Sequence, residues 1–463
     1  MKKIRLGAGS AYWGDLLEPA VELANRGELD YLCFDHLSEL TLAVLQRQKA
    51  KDPNEGYIKD IEPWLEATLL QARQQGFKIV TNAGGANPAA AAQKVIEVAE
   101  RLGLGKLKIA VVTGDDIFPD LDEMRSLGIK FANMDTGEPD IDRIRKDIVA
   151  ANAYVGAEHI AKGLAQGADV VVCGRVSDTA LFIGPMMHEF GWGYAAADND
   201  KMGAAITIGH TVECAALATG AVSNLWRQAK DPWRPGYPIA EVSEDATAVI
   251  SKVEGSGGIL NEWTVKEQLV YEIGDPNNYY MPDGIADFTS VKVEEIGPER
   301  VKLSNMTGKG LPDKLKVCIG YRDGWEGEGS LLFSWPDAYE KARRGEKIIR
   351  ERLKLLGVEP IELHFDFIGV NALHGPTAPP PGDMNEVGLR VAARTNTKED
   401  ADTVKRESTH LWTLGGIGTG YLSPAQPRPS VSLWPTLVPR DQVQMKLTMV
   451  ETTAPGARRA HQE

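Results

Sequence analysis

The sequence predicts an α/β fold: a mainly parallel sheet flanked by helices, followed by a second α+β domain. Three observations predict it. Short apolar runs alternate with helix-period segments through about Ser223. Two of those runs, "IAVVT" and "VVVCG", are apolar at nearly every position, as strands covered on both faces are. Beyond Ser223 the pattern turns to period-two alternation, which marks antiparallel strands.

Taken in order, the predicted strands are Ile4–Leu6, Tyr31–Phe34, Lys78–Thr81, Lys108–Thr113 and Asp169–Cys173, with a weaker one at Lys130–Asn133. Between them the spacing predicts helices at Leu16–Arg26, Ser38–Lys51, Pro63–Gln75, Pro88–Leu102, Leu121–Leu127 and Ile141–Gln166. Asn87 before Pro88 is a helix N-cap with proline at the first helical position. Ser177 and Asp178 are capping residues before another helix. "AKDPWRPGYP" reads as a linker. After it, "VKVEEIGPERVKLS" and "DKLKVCIGYRDGWEGEGSLLFSW" alternate as strands, a helix covers Pro336–Leu356, and "IELHFDFIGV" and "VGLRVAARTN" give two more strands. The predicted domains are residues 1–225 and 226–450, with a loose tail over 451–463.

The chain has 463 residues and a net charge of −14, which argues against nucleic acid, whose phosphates need clustered Lys and Arg. No apolar run approaches 18 residues, so no membrane span is expected. "MKKIRLGAGS" has no signal-peptide core. The four cysteines form no CxxC pair, which speaks against a thiolate zinc site and fits a reducing cytoplasm. Cys33 and Cys173 read as small buried hydrophobes.

The chemistry is expected where strands end, since open α/β sheets bind ligands beyond their carboxyl ends. The crevice between the two domains is the expected place. "GAGSAYWGD" resembles a dinucleotide turn, with Asp35 placed as a ribose acid, but Gly7, Gly9 and Gly14 miss the G-x-G-x-x-G spacing. As a turn lining a pocket it offers Gly9 and Ser10 to a substrate. No cofactor is therefore expected. In "TNAGGANP", the amides of Gly84 and Gly85 at a helix start suit an anion, with Asn82 and Asn87 adding hydrogen bonds. A tight turn is the alternative. In "CGRVSDTA", Arg175 suits a carboxylate, Ser177 lies beside it, and Asp178 is a proton carrier or a cap. "GHTVECAALATGA" places His210 and Glu213 on one helical face, a pair fitted to proton transfer. No third ligand stands at a usable spacing, so no metal is expected. Asp115 and Asp116 read as a turn, and "GWEGEG" as a hairpin loop.

"GAGSAYWGD", "TNAGGANP", "VVCGRVSDTAL", "GHTVECAALATGA" and "GIADFTSVKVEEIG", in this order over residues 4 to 375, resemble the acyclic terpene utilisation (AtuA) family. The resemblance implies a setting in carboxylic-acid and acyl-CoA catabolism. In that setting the expected function is hydratase/lyase-like: proton abstraction with hydration or elimination on a small unsaturated or hydroxy acid, or its CoA ester. Arg175 and the "NAGGAN" amides would hold the anion, and Asp178, His210 and Glu213 would move protons. The alternatives are an NAD(P)-dependent oxidoreductase and a non-catalytic partner subunit of an acyl-CoA carboxylase. A homo-oligomer is expected.

Overall fold

The computed structural model describes residues 1–421 and 425–452. Its chain forms two compact units: Met1–Arg145, Val149–Gly320 and Leu433 onward make the first, and Lys146–Ile148 with Tyr321–Ser432 make the second. The expected boundary at 225/226 falls inside the first unit. Residues 453–463, most of the expected tail, lie outside the described residues, and Glu451 ends a strand.

The first unit is built on a ten-stranded mixed sheet. Its centre is five parallel strands: β1 (Lys3–Ser10), β2 (Tyr31–Phe34), β3 (Lys78–Thr81), β4 (Lys108–Thr113) and, after β5 (Ile148–Ala153) outside this sheet, β6 (Val170–Cys173). They lie in the order β1-β2-β3-β6-β4. The sheet is thus not mainly parallel. β7 (Pro238–Ser243) and β8 (Ala248–Lys252) extend it antiparallel from β1, and Lys446–Glu451 pairs antiparallel with β4. That is why the unit reaches past residue 225: strands that follow the Pro-rich loop complete the first sheet.

Helix placement follows from strand order. From β1 to β4 the chain advances across the sheet, and right-handed crossovers put α1 (Leu17–Arg26), α3 (Ile61–Gln75) and α4 (Pro88–Arg101), which follows α2 (Glu39–Lys51) and α3 in sequence, into one packed layer. Returning to β6 reverses the advance. After the short α5 (Leu121–Ser126), helices α6 (Glu158–Ala165), α7 (Ala180–Phe190) and α8 (Asn199–Glu213) therefore form a separate layer. The parallel strands are buried on both sides: every residue of β2 and β6 is buried, including Cys33 and Cys173.

Two predicted elements differ. Ile141–Gln166 is not one helix but a strand, β5, followed by α6. "IVAANAYV" is too β-branched and aromatic to hold the helix, and the Tyr154 amide donates instead to the Lys316 carbonyl at 2.8 Å. Lys130–Asn133 is not a strand, because the Asn133 side chain accepts from the amides of Asp135 and Thr136 and closes a turn.

The second unit is α+β. Trp325–Ser334 of the strand Lys314–Ser334 pairs with Glu386–Thr395, which also pairs with Glu362–Ile368. Helices Ala338–Leu355 and Lys398–Leu414 pack against these strands around Phe333, Ile349, Leu389, Val391 and Leu411. "GWEGEG" is the interior of a strand, not a hairpin loop. A Cβ at Gly327 would meet the Ala401 carbonyl at 2.2 Å and one at Gly329 the Ser408 hydroxyl at 1.6 Å, so the glycines let the helix lie on the strand. Glu326 and Glu328 pair with Arg428 and Arg390.

Candidate functional site

A cavity of about 1230 Å³ opens in the first unit, and all its lining residues belong to that unit. Its polar wall is built by the carboxyl ends of parallel strands, where the sheet geometry leaves backbone without a ladder partner. Ala11 and Tyr12 follow β1, Asp35, Leu37, Ser38 and Glu39 follow β2, and Arg175, Ser177 and Asp178 follow β6. Tyr154 arrives from the end of β5 and Glu213 from the end of α8. Met281, Ile285, Leu311 and Leu437 supply an apolar part of the lining.

Arg175 is the hub of this wall, and it is only 2% exposed. Its amide donates to Asp115 Oδ2 at 2.9 Å, its Nη1 donates to the Leu37 carbonyl at 2.6 Å, and its Nη2 pairs with Asp178 at 2.8 Å. The guanidinium lies over the Tyr154 ring at 4.1 Å. Burial alone would lower its pKa, but Asp178, Tyr154, Asp35 and Glu39 outweigh it and raise it further. Nε remains buried without a hydrogen-bond partner among the described residues. The residues expected as helix caps do something else: α7 starts at Ala180 without a side-chain cap, Asp178 faces Arg175, and the Ser177 hydroxyl lies 3.3 Å from that of Thr179.

Asp35 lines the cavity at the end of β2. It is 4% exposed; Oδ1 accepts from Asn82 Nδ2 at 2.6 Å and from the Leu37 amide at 3.1 Å. Burial first, then the neighbouring Asp178 charge, push its pKa well above the carboxylate range, against Arg175 and the two hydrogen bonds. Glu39 goes the other way. Burial would raise it, but the Tyr154 hydroxyl, its own amide, Lys316 and Arg175 hold it at about 2. The Tyr154 hydroxyl is buried beside Glu39, close enough to favour the charged carboxylate.

The pair on α8 forms as the spacing predicts. His210 Nδ1 and Glu213 Oε1 lie 2.9 Å apart, both buried. The imidazole packs with Tyr279 and Phe288 in a cluster of three rings, with centroids 5.1 and 5.2 Å from its own. Glu213 lines the cavity, and His210 stands behind it. Burial raises the Glu213 pKa, and the His210 contact opposes that. His210 Nε2 and Glu213 Oε2 are buried without hydrogen-bond partners among the described residues. The small residues of this helix serve packing: a Cβ on Gly209 would touch Thr179 at 3.1 Å, so the glycine brings α8 against the β6–α7 turn.

The other expected substrate contacts do not line the cavity. A Cβ on Gly9 would meet the Phe34 ring at 2.4 Å, so that glycine is a packing requirement of β1 on β2. Ser10 Oγ donates to the Asp35 carbonyl at 2.7 Å. Gly84 passes so close to the end of β6 that a Cβ would stand 2.3 Å from the Cys173 carbonyl, and Gly85 has φ +52°. Three of the loop's amides are taken up by backbone carbonyls: Gly85 donates to Asn82, Ala86 to Gly56 and Asn87 to Gly84. Asn87 caps α4 at Ala90 and donates to the carbonyls of Pro53 and Glu55 at 2.8 Å. Asn82 acts through Asp35 and the His36 amide. Tyr154, Glu39 and Tyr279 were not singled out from the sequence; they lie on elements far apart in the chain and carry no local motif. Among the described residues no group of three or more His, Cys, Asp or Glu is arranged to hold a metal ion, and no helix is long and apolar enough to cross a membrane.

The model of the acyclic terpene utilisation family protein AtuA matches residues 4–449, so the chain belongs to that family. No curated protein and no solved structure matches it.

Proposed function

With that membership as the premise, we propose that the chain is an enzyme of carboxylic-acid or acyl-CoA catabolism. It moves a proton at the carbon next to a carbonyl and adds or removes water, on a small unsaturated or hydroxy acid or its CoA ester. One observation carries the reading: the carboxyls of Asp35 and Asp178 and the Arg175 guanidinium, at the ends of parallel strands, meet the Glu213 carboxyl, at the end of α8, on the wall of a single cavity. Environments that push neighbouring carboxyls in opposite directions set up an acid and a base in one site. Here burial raises Asp35 and Glu213 while Glu39 is held low.

The roles follow from the contacts. Asp178, ion-paired and partly exposed, takes the proton from carbon. Arg175 aims Asp178, and its positive charge on the cavity wall favours the oxyanion that develops on the carbonyl, where charge in a dry site counts most. Glu213, backed by His210, relays protons between the cavity and bulk water. The apolar lining takes the hydrocarbon chain. Purified protein is to be incubated in D₂O with a panel of 2-enoyl and 3-hydroxyacyl thioesters and their free acids. Deuterium at C2 and loss of the conjugated enoyl absorbance are the expected results; neither signal with any member would sink the reading.

A further inference from the structure

We propose that Asp35 is a further catalytic residue, the proton donor opposite Asp178, and that Asn82 is the positioning residue that holds it. The inference rests on the proton-transfer reading of the cavity and adds which group delivers the proton to oxygen. Asp35 lines the cavity at the end of β2, a neighbour of β1 and β3 in the sheet, while its carboxyl is almost wholly removed from solvent. Only Oδ1 is held, by Asn82 and the Leu37 amide. Oδ2 accepts no hydrogen bond from the described residues. A buried carboxyl anchored through one oxygen, with the other left for a ligand, is the arrangement a proton donor needs.

The charged groups around it support the assignment. From the β6 loop come Arg175 and Asp178, from α8 Glu213 with Cys214 beside it, and from α2 Glu39; His36 follows next in the chain. Asp178 has the close ion pair with Arg175, so the neutral carboxyl falls to Asp35. Burial and the Asp178 charge act in the same direction on Asp35.

The step balances without a redox partner. In the elimination direction the Asp178 carboxylate takes the proton from C2. The released C–H electron pair becomes the C2–C3 π bond, the C3–O bond breaks with its pair on oxygen, and the Asp35 proton joins the departing hydroxyl, which leaves as water. Asp178 ends protonated and Asp35 ionised, and a proton passing through cavity water restores both. Hydration is the reverse.

Infrared difference spectroscopy of the whole protein tests this without any substrate. At neutral pH the wild type is expected to show a protonated-carboxyl carbonyl band that Asp35→Asn lacks. Identical spectra overturn the proposal. Asn82→Ala leaves Asp35 in place but removes a donor that favours its ionised form, so the band should persist to higher pH than in the wild type; an unmoved titration overturns the role of Asn82. On a thioester that the wild type turns over, Asp35→Asn is expected to lose about 10²- to 10⁴-fold in turnover. If the wild type turns over none, the functional reading falls, while the infrared band still decides the state of Asp35.

Discussion

The loops after β3 and β6 leave adjacent parallel strands of one sheet, yet one is packed shut and the other lines the cavity. After β3, "NAGGAN" commits the amides of Gly85, Ala86 and Asn87 to backbone carbonyls and its glycines to clearance from the Cys173 carbonyl and Leu45. After β6, "GRVSD" carries a buried guanidinium that needs partners, and these gather Asp178, Tyr154 and the Leu37 carbonyl around the cavity wall. The difference is between backbone demand and charge demand. Glycines satisfy a steric condition that closes space, whereas a buried arginine recruits polar groups from several elements and keeps them together.

The sharpest way to break this comparison is Asp178→Asn. Turnover should fall about 10²- to 10⁴-fold, and melting temperature should fall as well, because the buried Arg175 guanidinium loses its charge partner. Arg175→Ala comes next. Removing the buried partner of an ion pair costs about 3–5 kcal/mol, so melting temperature and turnover should both drop on the same preparation. Arg175→Lys should recover only part, since an ammonium cannot reproduce the planar fork. An unstable but fully active Arg175→Ala would reduce the β6 loop to architecture.

A pH test separates the support of the hub from the hub itself. Burial raises Asp115, which accepts from the Arg175 amide and Asn152, to about 6. A carboxyl whose folded pKa lies above its unfolded value near 3.8 loses stability as pH rises from about 4 to 6. Relative to Asp115→Asn, the wild type should therefore lose on the order of 3 kcal/mol across that window. Denaturant melts at pH 4 and pH 7 measure it; a constant difference between the two proteins contradicts the buried assignment. The smallest effects belong to the β3 loop. Gly84→Ala should cost about 1–3 kcal/mol by overpacking and Asn87→Ala about 1 kcal/mol by loss of the cap. Both should leave activity per folded molecule unchanged. A large activity loss in either, at full folding, would put the β3 loop back in the site.

Much of this was legible in the sequence, and for a reason. Apolar runs such as "VVVCG" are buried on both faces, so central strands such as β2 and β6 stand out by composition alone. Arg175, Asp178 and Glu213, which line the cavity, stand out in the sequence because a charged residue beside a buried strand or on a small-residue helix is costly to keep. The glycines were read as ligand contacts because the same bare backbone suits an anion or a neighbouring strand, and only the packing partner distinguishes them. The antiparallel edges from β7, β8 and Lys446–Glu451 depend on pairings between distant segments, which no local period encodes. Tyr154 was hidden for a similar reason: the helix expected over Ile141–Gln166 is a strand whose end delivers it to Arg175.

The central claim is that the wall of the cavity moves a proton at the carbon beside a carbonyl. Mass spectrometry of a 3-hydroxyacyl thioester panel in D₂O, with wild type and Asp178→Asn side by side, tests it most directly. The account predicts that the wild type puts one deuterium at C2 of at least one member, and that Asp178→Asn lowers the rate at least about a hundredfold. Exchange that survives in Asp178→Asn, or that no member of the panel shows, contradicts it.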